Sequence, residues 1–304
     1  MSVPRITQRL MANRVLADLR TQTERLLRVQ DQLATGQRIT KPSDDPIDTR
    51  RAIDTRALIQ KYQQYVDNVA MVSPQLDETT SMIGLAMSAV QRVHELTLQG
   101  ANGTNSQEQM SYLAEEVNQV LEGVFQNANH VTNGRYIFAG TRSKAPAFSA
   151  TRNVQGEITG VSYDGDSGTI EIALADNIQL RINEPGDRVF QGTVDIFQTF
   201  INIRDELRAG NRASLSNVRI GELDQLRSQL SQAQARVGAL QNRVATIQNE
   251  NEDLILQNQI LQSQVLDADY ADTIVNLNMQ QNAYQAALNA AGRVLQPSLL
   301  DYVR

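Results

Sequence analysis

The side chains best suited to acid–base or metal chemistry in this 304-residue chain are its two histidines, His94 and His130. They lie on separate stretches of helical periodicity, without metal-ligand spacing and without a nucleophile motif beside either. The sequence contains no cysteine, which excludes disulfides, thiolate metal sites and thiol catalysis. We therefore predict structural or exposed roles for both histidines, and neither a catalytic site, a metal site nor a cofactor.

Two glycine-rich segments could in principle bind phosphate or calcium. Gly100 and Gly103 follow a predicted helix, whereas a phosphate loop follows a strand. Residues 164–168 (DGDSG) resemble the start of a calcium loop, but no acidic ligand stands at the twelfth position. A turn before a strand is the better interpretation of this segment.

The charge and hydropathy of the chain exclude several classes of partner. A formal net charge of −6 argues against nucleic acid, because binding phosphates requires clustered Lys and Arg. No apolar run approaches the roughly 20 residues that span a bilayer, and the first residues lack the apolar region of a secretory signal. We expect no membrane association and no export by the Sec route.

Two heptad ladders, in which apolar residues follow at steps of three and four, dominate the remaining pattern. One begins at Leu223 and runs nearly to the C-terminus, and the other occupies the N-terminal helix, predicted over residues 6–34. Each ladder makes an apolar seam that its own helix cannot bury. The predicted assembly interface comprises Val15, Leu19, Leu26, Val29, Leu33, Asn251, Leu254, Asn258, Leu261, Val265, Leu299 and Leu300.

Asn251 and Asn258 place amides at seam positions, where a buried amide lowers stability but specifies register and partner number. From residue 254 to residue 291 the charged side chains are all aspartates, with no Lys or Arg. Because a helix face that meets water is usually charged, this composition favours packing against neighbours. A solvated polar helix of low charge fits it equally well.

Between the ladders, Asp45 and Pro46 predict a capped helix start at Pro46, with a kink or short break at Ser73-Pro74. A further helical stretch includes Val131 and stops at Gly134. From residue 136 to residue 190 the helical period is lost, and segments 170–174 and 178–182 alternate as a β-hairpin. Helical periodicity then resumes and stops at Gly210.

These elements predict a mainly α fold, in which long N- and C-terminal helices pair as a coiled-coil bundle around a small β-rich insertion. The predicted domains are a terminal inner coiled coil (residues 1–40 with 265–304), a helical middle bundle (41–140 with 195–264) and a β-rich outer insertion (141–194). Only 5% of the residues are aromatic, which suits long helices better than large globular cores.

Several motifs together resemble those of bacterial flagellins and their relatives. The resemblance covers almost the whole chain, and residues 133–141 and 298–302 are more similar to the members at the hook–filament junction than to the filament subunit. The motifs are the region around Asn13, residues 33–39 (LATGQRI), 42–46 (PSDDP), 133–141 (NGRYIFAGT), 163–165, 187–190, 235–239 (ARVGA), 267–271 (DADYA) and 294–303 (VLQPSLLDYV).

The resemblance implies a structural subunit of the extracellular bacterial flagellum that forms a junction ring by self-assembly of its terminal helices. Its implied partners are identical subunits, a second hook-associated protein on the hook side and flagellin on the filament side. A cytoplasmic export chaperone is expected on the C-terminal helix, with export through the flagellar type III apparatus. The alternatives are the filament subunit itself and, from another class, a cytoplasmic coiled-coil scaffold.

Overall fold

The computed structural model describes the backbone of residues 3–295 and the side chains of residues 10–293. Helices dominate, with three short antiparallel hairpins between the third and fourth of them. The elements are α1 (Val3–Thr35), α2 (Pro46–Ala101), α3 (Gln107–Ala128), β1 (Val131–Thr132), β2 (Arg135–Tyr136), β3 (Phe148–Arg152), β4 (Ile158–Tyr163), β5 (Glu171–Ala175), β6 (Ile178–Arg181), α4 (Gly186–Phe190), α5 (Ile196–Ala209), α6 (Arg212–Ser214), a π-helical turn (Leu215–Arg219), α7 (Ile220–Leu266) and α8 (Tyr270–Leu295).

The chain forms two compact units. The terminal unit comprises Met1–Lys61 with Leu254–Arg304, and the middle unit comprises Tyr62–Asp253. In the middle unit, 40 buried apolar residues from the helices and the hairpins form one cluster. The hairpins therefore share a core with the helices around them, and the three-domain division remains a prediction.

The α7 ladder lies in the core of the middle unit as far as Ile247. Beside it, α3 packs against α5, and Phe138, Phe148, Phe190 and Phe197 form a cluster of ring contacts with centroids 5.0–6.0 Å apart. Two of these pairs, Phe138–Phe190 and Phe148–Phe190, are edge-to-face, an arrangement that adds stability beyond the area the rings bury. Four of the six phenylalanines of the chain thus lie where the hairpins meet the helices.

The predicted helix ends at Pro46 and Gly210 are confirmed. The carboxylate of Asp45 accepts a 3.1 Å hydrogen bond from the N–H of Asp48, and α2 begins at Pro46. At the end of α5, Gly210 has a φ of 71°, in the left-handed region that closes many helices. The predicted hairpin is also present as β5 and β6, which pair Glu171 with Arg181.

Of the kink or short break predicted at Ser73-Pro74, the break is absent, because α2 continues through Pro74, and the kink remains a prediction. Proline lacks an N–H, so one helical hydrogen bond is missing there. The hydroxyl of Ser73 donates to the carbonyl of Val69 at 3.1 Å, and Val72 and Leu76 on either side are almost fully buried. Core packing therefore holds the helix across the proline.

The helical prediction for Val131, with a stop at Gly134, is also wrong. Helix α3 ends at Ala128, and Val131 pairs with Tyr136 across the β1–β2 hairpin. Asn133 and Gly134 occupy the turn with φ of 51° and 75°. Two consecutive positive φ values define the tight hairpin turn that Asn-Gly favours. This local signal outweighs the helical spacing of the apolar residues before it.

The C-terminal ladder is interrupted at residues 267–269, between α7 and α8. The carboxylate of Asp269 accepts a 2.8 Å hydrogen bond from the N–H of Ala271 and a 3.3 Å bond from that of Asp272. An aspartate in this position caps a new helix, because it satisfies N–H groups that have no partner in the first turn. The ladder thus belongs to two helices rather than to one.

Candidate assembly surface on the terminal helices

The terminal unit is built around α1 and α8, which pack along each other in opposite directions. Their connection is defined by backbone hydrogen bonds where α1 ends and α8 begins. The N–H of Ala268 donates to the carbonyl of Gly36 at 2.9 Å, and the N–H of Arg38 donates to the carbonyl of Leu266 at 2.6 Å. These bonds fix the register of the two terminal helices.

The side chain of Arg38 ties this connection to the start of α2. Its guanidinium donates to the carboxylate of Asp48 at 2.6 Å and to the carbonyl of Val265 at 2.9 Å, with Asp45 at 3.5 Å. The hydrogen bond from the N–H of Asp48, with a further contribution from Arg38, lowers the pKa of Asp45. The bond from Arg38 to Val265 also supplies a donor to a carbonyl in the last turn of α7, where carbonyl groups lack partners within the helix.

The predicted seam positions on α1 are half-buried: Val15, Leu19, Leu26, Val29 and Leu33. In the C-terminal part of the unit, Leu254, Asn258 and Val265 are half-buried, whereas Leu261 is 53% exposed. The amide of Asn258 donates to the carbonyl of Leu254 within its own helix. Leu299 and Leu300 lie outside the described residues.

Asn251 differs from the other predicted interface residues because it lies in the middle unit and is 1% exposed. Its side-chain amide donates to the carbonyl of Leu174 in β5 at 2.7 Å. The amide is therefore used inside the chain and is not available to a neighbouring subunit. This position is a correction to the predicted interface.

Burial differs sharply between the two units. Among the described residues, the buried apolar side chains of the terminal unit are Ile39, Ala52 and Ala291, against 40 in the cluster of the middle unit. Burial of apolar area supplies most of the favourable free energy of folding. The described part of the terminal unit has almost no core of its own.

Several large apolar side chains on the terminal helices are instead exposed. Heptad spacing does not identify them, because they lie beside the seam rather than on it, although the absence of Lys and Arg from residues 254–291 is a signal for those on α8. Exposed apolar patches often mark sites where another molecule binds. These residues are Leu10, Met11, Leu16 and Leu27 on α1 and Ile274, Val275, Met279 and Leu288 on α8.

The histidines do not form part of a catalytic arrangement with the side chains that the structure describes. His94 is half-buried on α2. His130 contacts the carboxylate of Glu78 at 2.9 Å, and Thr132 donates to the same carboxylate. The hydroxyl of Thr132 lowers the pKa of Glu78 most, and His130 adds to this effect. The group joins α2 to the β1–β2 hairpin.

The calcium-like segment is a turn. The carboxylate of Asp166 accepts hydrogen bonds from the N–H of Thr141 at 2.7 Å and the N–H of Gly168 at 3.0 Å. The bonds from Thr141 are the main cause of its lowered pKa. Among the described residues, no group of three histidine, cysteine, aspartate or glutamate side chains could hold a metal ion.

A cavity of about 350 Å³ lies between α2, the β1–β2 hairpin and the β5–β6 hairpin. It is lined by apolar and neutral polar side chains together with Arg135, and no described histidine or carboxylate reaches it. Between residues 3 and 295, none of the helices has the combination of length and apolar character that a membrane span requires.

Comparison with known proteins shows similarity to flagellar proteins. Residues 6–143 match the bacterial flagellin N-terminal helical region. The chain is 27% identical to flagellar hook-associated protein 3 of Salmonella typhimurium over 165 residues, which cover 54% of this chain and 52% of that protein. It is 25% identical to a flagellin of Clostridium tyrobutyricum over 131 residues, covering 41% of this chain and 33% of the flagellin. The chain thus spans about half the length of its hook-associated relatives.

The fold also has counterparts among solved structures. A protein of Vibrio parahaemolyticus described as a flagellar hook-associated protein superposes with a TM-score of 0.66 at 15% identity, over 74% of this chain and 100% of that one. At such low identity the likeness concerns the fold. The matched N-terminal region contains the motifs at residues 33–39, 42–46 and 133–141. In its N-terminal region and in its fold, the chain is similar to bacterial flagellins and to flagellar hook-associated proteins.

Proposed function

We propose that this chain is a non-enzymatic subunit of the bacterial flagellum that forms the junction between hook and filament. The observation that carries the proposal is the unequal burial within the chain. The middle unit has a continuous core, whereas the described apolar side chains of α1 and α8, apart from Ala291, are half-buried or exposed. A surface of this kind is stabilised when other helices cover it.

Identical copies of the chain are the partners that this surface fits best. In a head-to-tail contact, one face of the terminal helices of a subunit packs against a different face of its neighbour. Repeated contacts of this kind close into a ring or continue as a helical filament. Around such a ring we expect a second hook-associated protein on the hook side and flagellin on the filament side. The implied assembly is extracellular.

Export is proposed to follow the flagellar type III route. Before export, the exposed apolar face of α8 requires protection from non-specific association, because exposed apolar patches promote aggregation. A cytoplasmic chaperone that covers this helix would supply that protection. The low charge of residues 254–291, with three aspartates and no Lys or Arg, suits such a complex.

Deletion of the gene in the source bacterium tests the junction role directly. The expected phenotype is intact hooks without filaments, together with flagellin monomers released into the medium. Complementation with the full chain should restore filaments. Hooks that still carry normal filaments after the deletion would contradict the proposal.

The filament subunit itself is the second candidate, because a flagellin is among the relatives and shares part of the matched region. The more extensive matches to hook-associated proteins favour the junction role. The deletion separates the two functions. Loss of a filament subunit should leave hooks that already carry junction rings, with no flagellin in the medium.

A cytoplasmic coiled-coil scaffold is a third candidate from a different class. A scaffold of this kind should form one small, discrete oligomer in solution, and the chain should be undetectable in purified flagella. The junction role instead predicts that the chain is found at the hook end of purified filaments. A variant that lacks residues 264–304 should retain a folded middle unit and fail to join hooks to filaments. Normal incorporation of this variant would contradict assembly through the terminal helices.

A further inference from the structure

Two glutamines in the seam between the terminal helices have buried side-chain oxygens without a hydrogen-bond partner. They are Oε1 of Gln22 on α1 and Oε1 of Gln280 on α8. Both residues are half-buried, and Gln22 stands on the heptad ladder between Leu19 and Leu26. Buried oxygens of this kind are uncommon, because each has exchanged water for no other donor.

The two glutamines lie at about the same level of the helix pair. Gln22 stands 14 residues before Gly36, and Gln280 stands 12 residues after Ala268. The N–H of Ala268 donates to the carbonyl of Gly36, so these two residues lie side by side. Moving away from this point, residue numbers fall along α1 and rise along α8. At about 1.5 Å per residue, the two positions fall within about one helical turn of each other.

The outer surface of α8 carries amide donors that could satisfy such oxygens on another copy of the chain. It presents six exposed Asn and Gln side chains: Asn276, Asn278, Gln281, Asn282, Gln285 and Asn289. In the part of α8 whose side chains are described, the nearest cation is Arg293. A neighbouring α8 would therefore bring neutral N–H donors rather than charges into contact with the seam.

We propose that Gln22 and Gln280 form a polar layer that is completed by amide side chains from α8 of a second copy. This inference rests on the proposed self-assembly of the terminal helices. In the single chain the layer weakens the α1–α8 pair, because its two oxygens have lost water without gaining a donor. In the assembly, rotation of the flexible glutamine side chains brings these oxygens to the donors of the neighbour, and this pairing favours registers between copies in which both oxygens find a donor.

The first test measures the single chain at a concentration below that of assembly. A Gln22→Leu, Gln280→Leu double variant removes the orphan oxygens and leaves apolar groups of similar size. We expect hydrogen-exchange protection of α1 and α8 to rise at least about tenfold. The matched control is Gln30→Leu with Gln259→Leu, which changes two exposed glutamines of the terminal unit that lie outside α8. Equal protection in the two double variants would overturn the proposal.

The second test measures the critical concentration for assembly by sedimentation, with electron microscopy of the products. The Gln22→Leu, Gln280→Leu variant should need at least about tenfold more protein than the control variant to assemble, because donors on the neighbour are left without acceptors. An unchanged critical concentration with ordered products would refute the polar layer alone. Failure of the wild-type chain to assemble under any condition would instead refute the proposed function.

Discussion

The side-chain amide of Asn251 donates a 2.7 Å hydrogen bond to the backbone carbonyl of Leu174, and it does so at a position that is 1% exposed. The bond joins α7 to β5 inside the middle unit. An amide on a helix seam thus serves the packing of a hairpin within the same chain. Its role is therefore tested by stability rather than by assembly.

We predict that Asn251→Ala lowers the free energy of unfolding of the middle unit by about 1–3 kcal/mol, because the carbonyl of Leu174 loses its partner and a cavity forms. Urea denaturation monitored by circular dichroism measures the change. The control is Asn249→Ala, an exposed amide on the same helix, for which we expect a change within about 0.5 kcal/mol. Equal effects of the two substitutions would show that the hydrogen bond does not stabilise the unit.

The ion pair between Glu157 and Arg208 predicts a pH dependence. Two hydrogen bonds, of 3.0 and 2.5 Å, join the guanidinium to the carboxylate. Arg208, with a contribution from Asn153, lowers the pKa of Glu157 from 4.5 to about 2. Because the folded pKa lies below the ordinary value, the pair contributes stability above pH 4.5, and this contribution is lost as the pH falls toward 2.

The corresponding measurement compares the wild type with Glu157→Gln in urea denaturation at pH 6, 4 and 3. The wild type should be more stable by about 1–2 kcal/mol at pH 6, with solvent screening included, and the difference should shrink at each lower pH. Arg208→Gln should remove the same pH-dependent difference, and the double variant should add little to either single one. A difference that is the same at pH 6 and pH 3 would contradict this assignment.

Arg38 should stabilise the junction between α7 and α8. Its guanidinium binds both Asp48 and the carbonyl of Val265, so Arg38→Gln leaves that carbonyl without its partner. We predict a loss of about 1 kcal/mol of local stability, seen as faster amide hydrogen exchange around residues 263–272. Arg51 also pairs with Asp48 but is 69% exposed, and Arg51→Gln should leave exchange there unchanged. Comparable effects of both substitutions would exclude a specific role for Arg38.

Alanine substitutions at Gly140 and Gly134 distinguish the cost of backbone strain from the cost of a steric clash. Both have positive φ, of 66° and 75°, so alanine at either position should cost about 1 kcal/mol. A Cβ atom at Gly140 would also collide with the backbone of Asp166, whereas one at Gly134 meets open space. We therefore expect Gly140→Ala to cost about 1–3 kcal/mol more than Gly134→Ala in thermal or urea unfolding. Equal losses of stability in the two variants would show that the backbone around Asp166 moves aside at no cost.

The sequence predicts this fold best where local chemistry and tertiary packing agree. Asp45 caps α2, Gly210 ends α5, and the alternation around Ala175 forms a hairpin, as their local signals indicate. In each case the residue that defines the boundary acts on its own backbone neighbours. Such interactions can be inferred without knowledge of distant contacts.

Where the prediction fails, two local signals compete or a distant contact decides. Pro74 would end many isolated helices, but the buried neighbours Val72 and Leu76 hold α2 together. At Asn133-Gly134 the turn chemistry outweighs the helical period. The spacing of apolar residues along a helix also does not show which surface they will pack against. The α7 ladder meets the core of its own unit, whereas the α1 ladder remains half-buried.

The central claim is that the terminal helices acquire their full stability only when identical copies meet. Hydrogen–deuterium exchange of the full chain, followed by mass spectrometry, tests it directly in dilute solution and in the assembled state. We predict strong protection of residues 62–253 in both states, and protection of residues 10–35 and 270–293 that is weak in the dilute chain and rises strongly on assembly. Terminal helices as protected as the middle unit in the dilute chain, with no tendency to associate, would contradict the account.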